Sequence, residues 1–419
     1  MIAATLRPLR LPGFPHLAGS YFVNELGNWL GEIALAILIF ETTGSEVATA
    51  GLFLAMQFVP ALTTPALVAR VEAWPIRRVL PTLYLAEAAS FAVLAFLADE
   101  GRFALAPILV LASLDGMLAV TARSLTRATA AAVLAPAGQL REGNGLLNVG
   151  FTVGAAAGPA LGGLVVAGVG VEAALLGDAA SFLAVALLLA FAGLPSPETT
   201  EAGWVARLRA GLAYVRERPA LRNLLGAQAA AFVFFALVIP IEVAFAKETL
   251  DAGDFGYGLL LASWGSGMVS GSLVFAWLRH VHLITLIAFS TLAIGLAYAA
   301  IAVSPTLALA CAASVAGGVG NGVQWVALVT EVQELTHRSY QARVVSLLES
   351  VGSAMPGIGF LAGGLIAASL SPRASYAVAG AGVILVLAVA CLALRGVRWE
   401  RPDDRGDDGV PGPGGLTAA

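Results

Sequence analysis

Apolar runs long enough to cross a bilayer follow one another along almost the whole chain, and that repetition leaves few folds open. They lie near residues 17–40, 46–69, 79–98, 104–124, 144–167, 173–192, 223–246, 255–278, 283–303, 306–330, 344–368 and 374–395. A hydrocarbon core takes about 20 residues of helix. Lipid offers the backbone no hydrogen-bond partners, so a spanning segment is a helix or a strand of a closed barrel. These runs are much longer than barrel strands and do not alternate. Only 12% of the residues are charged, against about 25% in soluble domains, so no water-soluble fold hides this surface. The expected fold is an all-α membrane protein of twelve transmembrane helices in two six-helix halves. The N-terminal half is expected at 1–194 and the C-terminal half at 223–396, with a linker at 195–222 and a disordered tail at 397–419.

Orientation follows from the basic residues, which concentrate in cytoplasmic loops. With the N-terminus inside, 20 of the 23 Lys and Arg fall on the cytoplasmic side, and only Arg102, Lys247 and Arg373 fall outside. A missed span would scramble that bias. The expectation is a multi-pass plasma (inner) membrane protein with both termini cytoplasmic. The apolar run after Arg7 and Arg10 is too long for a secretory signal. In the linker, Trp204, Leu208, Leu212 and Val215 recur at helical spacing with Arg207, Arg209 and Arg216 between them. That pattern predicts an amphipathic helix lying in the interface against anionic lipid.

Several chemistries are excluded. The chain has no HExxH, no GxxxxGK[ST], no GxSxG and no histidine in mid-span. A membrane-embedded enzyme or a self-contained ATP-driven pump therefore lacks its parts, and no extramembrane domain exists for a sensor. Cys311 and Cys391 both sit in apolar runs and make no disulfide framework. His280 and His282 in "RHVH" read as solvated loop residues rather than metal ligands. No metal, cofactor or nucleic-acid partner is expected, and the chain is expected to be a monomer.

The two halves carry a weak repeat. "GPALGG" at 158–163 and "GFLAGG" at 359–364 lie 201 residues apart. "DG" at 115–116 and "NG" at 321–322 lie about half a chain apart. Parallel six-span repeats are a known transporter plan.

Up to about residue 395 the chain resembles the major facilitator superfamily. The most specific match is "GAAAGPALGG" at 154–163, which is similar to that superfamily's span-5 antiporter pattern, Gly-x-x-x-Gly-Pro-x-x-Gly-Gly. The resemblance implies a gating helix built on Gly154, Gly158, Pro159, Gly162 and Gly163, where small residues let backbones approach closely. "LGNWLGEIALAILIFETTGS", "RLRAGLAYVRERPALRNLL", "DAASF" and "QARVVSLLES" resemble segments of the proton-linked exporters that include enterobactin and macrolide efflux proteins. After span 2 the pattern departs. "PALVARVEAWPIRR" has Pro65 in place of the usual glycine and Ala69 in place of the aspartate of a cytoplasmic charge latch. Either Glu72 substitutes or the latch is weak; Arg70, Arg77, Arg78 and Arg123 are its candidate basic members.

Charge inside the membrane is costly and marks function. Tyr21, Glu25, Asn28 and Glu32 stand at i, i+4, i+7 and i+11 in span 1, on one helix face. By resemblance that span lines the cavity. Glu25, Asn28 and Glu32, with Asp115 in span 4 and Glu242 in span 7, are the candidates for proton coupling or substrate contact. Glu349 reads as facing cytoplasmic water, and Asp178 as a packing or interface residue. The implied function is proton-antiport export of an amphipathic small molecule, drug or siderophore-like, with small molecule, protons and membrane lipid as partners. Lipid or lysophospholipid transport by the same fold is the alternative.

Overall fold

The computed structural model describes residues 6–43, 46–99, 101–195, 203–397 and 399; the expected tail lies almost wholly outside them. The helices are α1 (Phe14–Thr43), α2 (Glu46–Val71), α3 (Ile76–Leu97), α4 (Leu105–Leu134), α5 (Leu140–Ala190), α6 (Trp204–Glu217), α7 (Pro219–Ala236), α8 (Gly253–Phe275), α9 (Leu283–Val303), α10 (Leu307–Glu334), α11 (Gln341–Ser369) and α12 (Pro372–Ala393). Among the described residues, eleven helices are long and apolar enough to span a membrane. The twelfth span comes from α5, which is 51 residues long and breaks at Gly170. There φ is 86° and ψ is 166°, a conformation essentially reserved for glycine.

The break folds α5 into a hairpin. Along its first arm, Gly154, Gly158 and Gly162 face Glu25, Trp29 and Ile33 of α1 in the same order, so the arm runs parallel to α1. Along its second arm, Asp178 meets Gly27 and Gly31 of α1, and Gly193 and Leu194 reach back to Gly13, so that arm returns antiparallel. The two arms are spans 5 and 6, α6 is the linker helix, and α7 to α12 are spans 7 to 12. α7 begins at Pro219, four residues before the expected start of the second half. Past Ala236 the span unwinds through a 3-10 turn at Ile239–Ile241 and a π turn at Phe245–Thr249; Pro240 supplies no backbone donor there.

The repeat in the sequence is a repeat in space. Gly359 and Gly363 of α11 face Val233 and Leu237 of α7, as Gly158 and Gly162 face Trp29 and Ile33. Gly116 of α4 lies on the Met56 carbonyl of α2, and Gly322 of α10 on the Met268 carbonyl of α8. In each case two helix backbones approach to a distance that a side chain would prevent.

The halves meet along α2 and α4 against α11, and along α5 against α8 and α10. Several hydrogen bonds and ion pairs between the halves lie toward the end that carries α6. We call this the linker end, and the opposite one the far end. At the linker end Asn144 Nδ2 donates to Thr330 Oγ1 (3.0 Å) and Gln333 Oε1 (2.6 Å). Asn148 Nδ2 donates to Ser272 Oγ (2.6 Å), and Arg141 donates to the carbonyls of Arg279 and Val281 (3.0 Å each). Buried hydrogen bonds across an interface hold it in one register, here through the two asparagine amide nitrogens, while both amide oxygens stay unpartnered.

Candidate translocation site

The polar face of α1 meets α4 at the centre of the molecule. Arg123 Nε donates to Glu25 Oε1 (2.9 Å), and its Nη2 to Glu25 Oε2 (3.5 Å). One turn on, Arg127 Nη2 donates to the Tyr21 hydroxyl (2.6 Å). The second carboxylate comes from the other half. Glu349 of α11 lies 3.1 Å from Arg127 Nε and 3.7 Å from Arg123 Nη1. Two guanidiniums thus hold two carboxylates, one from each half. Arg127 is 1% exposed, Glu25 1% and Glu349 6%, while Arg123 keeps 19%, so the network is largely withdrawn from water. Aromatic rings flank it: Tyr21 at 5.1 Å and Trp325 at 5.9 Å from the Arg127 guanidinium, and Phe151 at 6.0 Å from that of Arg123.

This corrects the reading of Glu349 as a water-facing residue. It is buried and is the inter-half partner of two arginines. Arg127, counted with the cytoplasmic loop after a span expected to end at 124, instead lies buried inside α4, which runs to Leu134. The available signal was the helix-forming stretch "TRATAAAVL" at 126–134, which carries the helix past residue 124 and sets Arg127 one turn from Arg123.

The remaining span-1 candidates stand apart from the network. Glu32 is half-buried with no hydrogen bond or ion pair. Asn28 has both amide atoms buried without partners. Asp115 is buried, and one of its carboxylate oxygens lacks a partner. Asp178 is fully buried against α1, with Ser181 donating to it at 3.2 Å, so it is a packing residue and not an interface one. Glu87 is fully buried with both oxygens unpartnered. Glu242 lies at the far end, beyond the break in span 7, and is not brought to the network. Among the described residues, no group of His, Cys, Asp and Glu could hold a metal ion.

Three of the motif glycines, Gly154, Gly158 and Gly162, press on α1 of their own half, while Gly163 faces open space. The Pro159 side chain lies outside what the structure describes. The stripe therefore packs one half internally rather than joining the two.

A second charged cluster closes the linker end. Glu72, just past α2, forms an ion pair with Arg343 of α11 and lies 3.5 Å from Arg207 of α6. Burial raises the Glu72 carboxyl above its ordinary value, and Arg343 and Arg207 draw it back. Arg70, Arg77 and Arg78 are exposed and make no ion pair, and Arg123 belongs to the central network instead. Arg207 also donates to the Ala69 carbonyl (2.7 Å). Farther along α6, the Tyr214 hydroxyl donates to the Leu335 carbonyl (3.3 Å) and accepts from the His337 N–H (2.8 Å). The helix is thus tied to both halves by Arg207 and Tyr214, while Trp204 and Leu212 of its apolar stripe stay exposed.

Comparison with known proteins agrees with this architecture. Residues 3–413 match the family model described as transmembrane secretion effector. No curated protein matches significantly. Among solved structures, a bacterial homologue of the iron transporter ferroportin in its outward-facing state is similar with a TM-score of 0.76 at 18% identity, covering 92% of this chain and 100% of that one. The human organic anion transporter MFSD10 (TETRAN) gives 0.72 at 18% identity, covering 90% and 100%. The Escherichia coli fucose:proton symporter FucP gives 0.71 at 15% identity, covering 91% and 98%. The chain belongs to the transmembrane secretion effector family, within the major facilitator superfamily of membrane transporters.

Proposed function

We propose that the protein is a secondary active exporter of an amphipathic small molecule, working by alternating access and driven by proton antiport. The observation that carries this reading is Glu349 of one half held between Arg123 and Arg127 of the other. It is a buried, breakable contact at the plane where the halves part. The basic residues put the linker end in the cytoplasm, so the described arrangement is closed to the cytoplasm. Glu32 and Asp115, which form no ion pair, are our candidates to carry a proton, whereas Glu25 is committed to Arg123. The family's description as a secretion effector supports the outward direction.

The test is a screen of candidate substrates in cells lacking their own efflux systems, followed by efflux from proteoliposomes under an imposed pH gradient. Export that collapses when the gradient is removed supports the reading. Equal export with and without the gradient overturns proton antiport. Uptake driven by the same gradient overturns the direction.

A further inference from the structure

The central network does not divide evenly when the halves part. Arg123, Arg127, Glu25 and Tyr21 all belong to the N-terminal half, on α4 and α1. Only Glu349 belongs to the other half. While the linker end is closed, two guanidiniums face two carboxylates and the charges cancel. If that end opens, Glu349 leaves with α11 and Glu25 stays on Arg123. Arg127 is then left with a phenol hydroxyl and an aromatic ring as its partners. Among the described residues Glu349 is the one carboxylate within ion-pair distance of Arg127, at 3.1 Å, and Glu25 acts on it only at longer range. A buried guanidinium without a counter-charge is costly, so the open state favours an anion at that position.

Building on the exporter reading, we propose that Arg127, assisted by Arg123, binds an oxyanion group of the substrate in the place Glu349 vacates. The ligand class is an organic carboxylate, or a sulfonate or phosphate of similar shape, on a flat apolar body. Arginine presents a planar fork of donors that fits two oxygens of one such group at once. Tyr21 and Phe151, which stay with the arginines, supply faces for the body. Trp325 keeps a buried indole N–H without an acceptor beside Arg127, one further donor as the halves close again. Glu349 is thus an internal stand-in for the substrate. When the linker end closes, its carboxylate returns to the arginines and displaces the anion toward the far end. The same pair of sites that shuts the cytoplasmic side also expels the cargo.

The experiment uses the full-length protein in detergent with three probes of one shape: 2-naphthoate, 2-naphthamide and 2-naphthylmethylammonium, each titrated calorimetrically. Glu349→Gln should bind 2-naphthoate at least about tenfold more tightly than wild type, a step of about 1.4 kcal/mol. The amide and the ammonium should be unmoved. Arg127→Gln added to Glu349→Gln should remove the gain, and Arg127→Lys should keep part of it. An equal gain for all three probes, or none for naphthoate, overturns the anion site. A separate arm reads the gate through thiol labelling of Ser272→Cys, in a background with Cys311 and Cys391 replaced by serine. Labelling of this buried position should rise in Glu349→Gln. Unchanged labelling alongside a selective naphthoate gain counts against the alternating-access reading and leaves the anion site standing. Raised labelling without the selective gain does the reverse.

Discussion

The two halves share a scaffold and differ in chemistry. The glycine seam between α1 and the first arm of α5 recurs between α7 and α11, and the α2–α4 approach recurs between α8 and α10. Aligning the halves through these seams sets Trp29 against Val233 and Gly116 against Gly322. By the same registers Glu25 falls on Ala229, Glu32 on Ala236, Arg123 on Val329 and Arg127 on Gln333. The buried apolar residues follow the same division. Those of the N-terminal half form one continuous cluster, and those of the C-terminal half fall into three. The repeat preserves what brings backbones together. The central arginine pair is placed once, in the half with the more continuous core, and the other half contributes Glu349 to it. A buried charge needs partners at fixed distances, so it belongs in the half that holds its shape.

That comparison can be broken in several ways. The largest effects should come from the shared seams. Gly158→Leu and its counterpart Gly359→Leu should be about equally damaging, each costing roughly 1–3 kcal/mol or more through overpacking. One would strike Trp29 and the other the backbone of Val233. Thermal unfolding of the purified variants measures this, and Gly163→Ala, which faces open space, should move by less than about 0.5 kcal/mol. A large loss at only one seam would mean that the two halves are not built alike.

The charge should behave in the opposite way, with effects confined to one half. Arg123→Gln leaves Glu25 buried without its partner and should cost about 3–5 kcal/mol. Val329→Ala, at the matching place, should cost clearly less. Similar losses at the two positions would remove the asymmetry.

Much of the scaffold was legible in the sequence, because a spanning helix is written in consecutive residues. The apolar runs located the helices, and the 201-residue repeat of "GPALGG" and "GFLAGG" marked equivalent contacts. The face of Tyr21, Glu25, Asn28 and Glu32 was legible from helical spacing, yet its division was not. Glu25 is tied to Arg123 and Glu32 is untied, a difference set by a contact 98 residues away. The Glu72–Arg343 pair joins residues 271 apart, and no local pattern announces such a partner. Glu349 was misread because its position near the start of a span suggests water, while its surroundings come from α4.

A smaller effect is expected at the rim. Glu72→Gln removes the carboxylate shared by Arg343 and Arg207, but α6, through Arg207 on Ala69 and Tyr214 on Leu335, and the Asn144 bonds still join the halves. It should shift the gate by about tenfold or less, near 1.4 kcal/mol. Glu349→Gln should shift it more. Thiol labelling of Ser272→Cys ranks the two, and a larger effect from Glu72→Gln would move the main lock from the centre to the rim. Glu32→Gln, by contrast, should leave labelling unchanged while abolishing pH-driven efflux from proteoliposomes. Wild-type efflux from that variant would pass the proton role to Asp115.

The most direct test of the central claim is the distance between the halves at both ends, measured by pulsed electron spin resonance. One spin-label pair would sit at the exposed linker-end positions Ala137 and Arg338, the other at the exposed far-end positions Asp99 and Asp251. In wild type the linker-end pair should be dominated by its short distance. In Glu349→Gln a second, longer population should grow at the linker end while the far-end pair shortens. Identical distributions in wild type and variant, at both ends, would contradict the claim that one carboxylate crossing to two arginines holds this transporter shut.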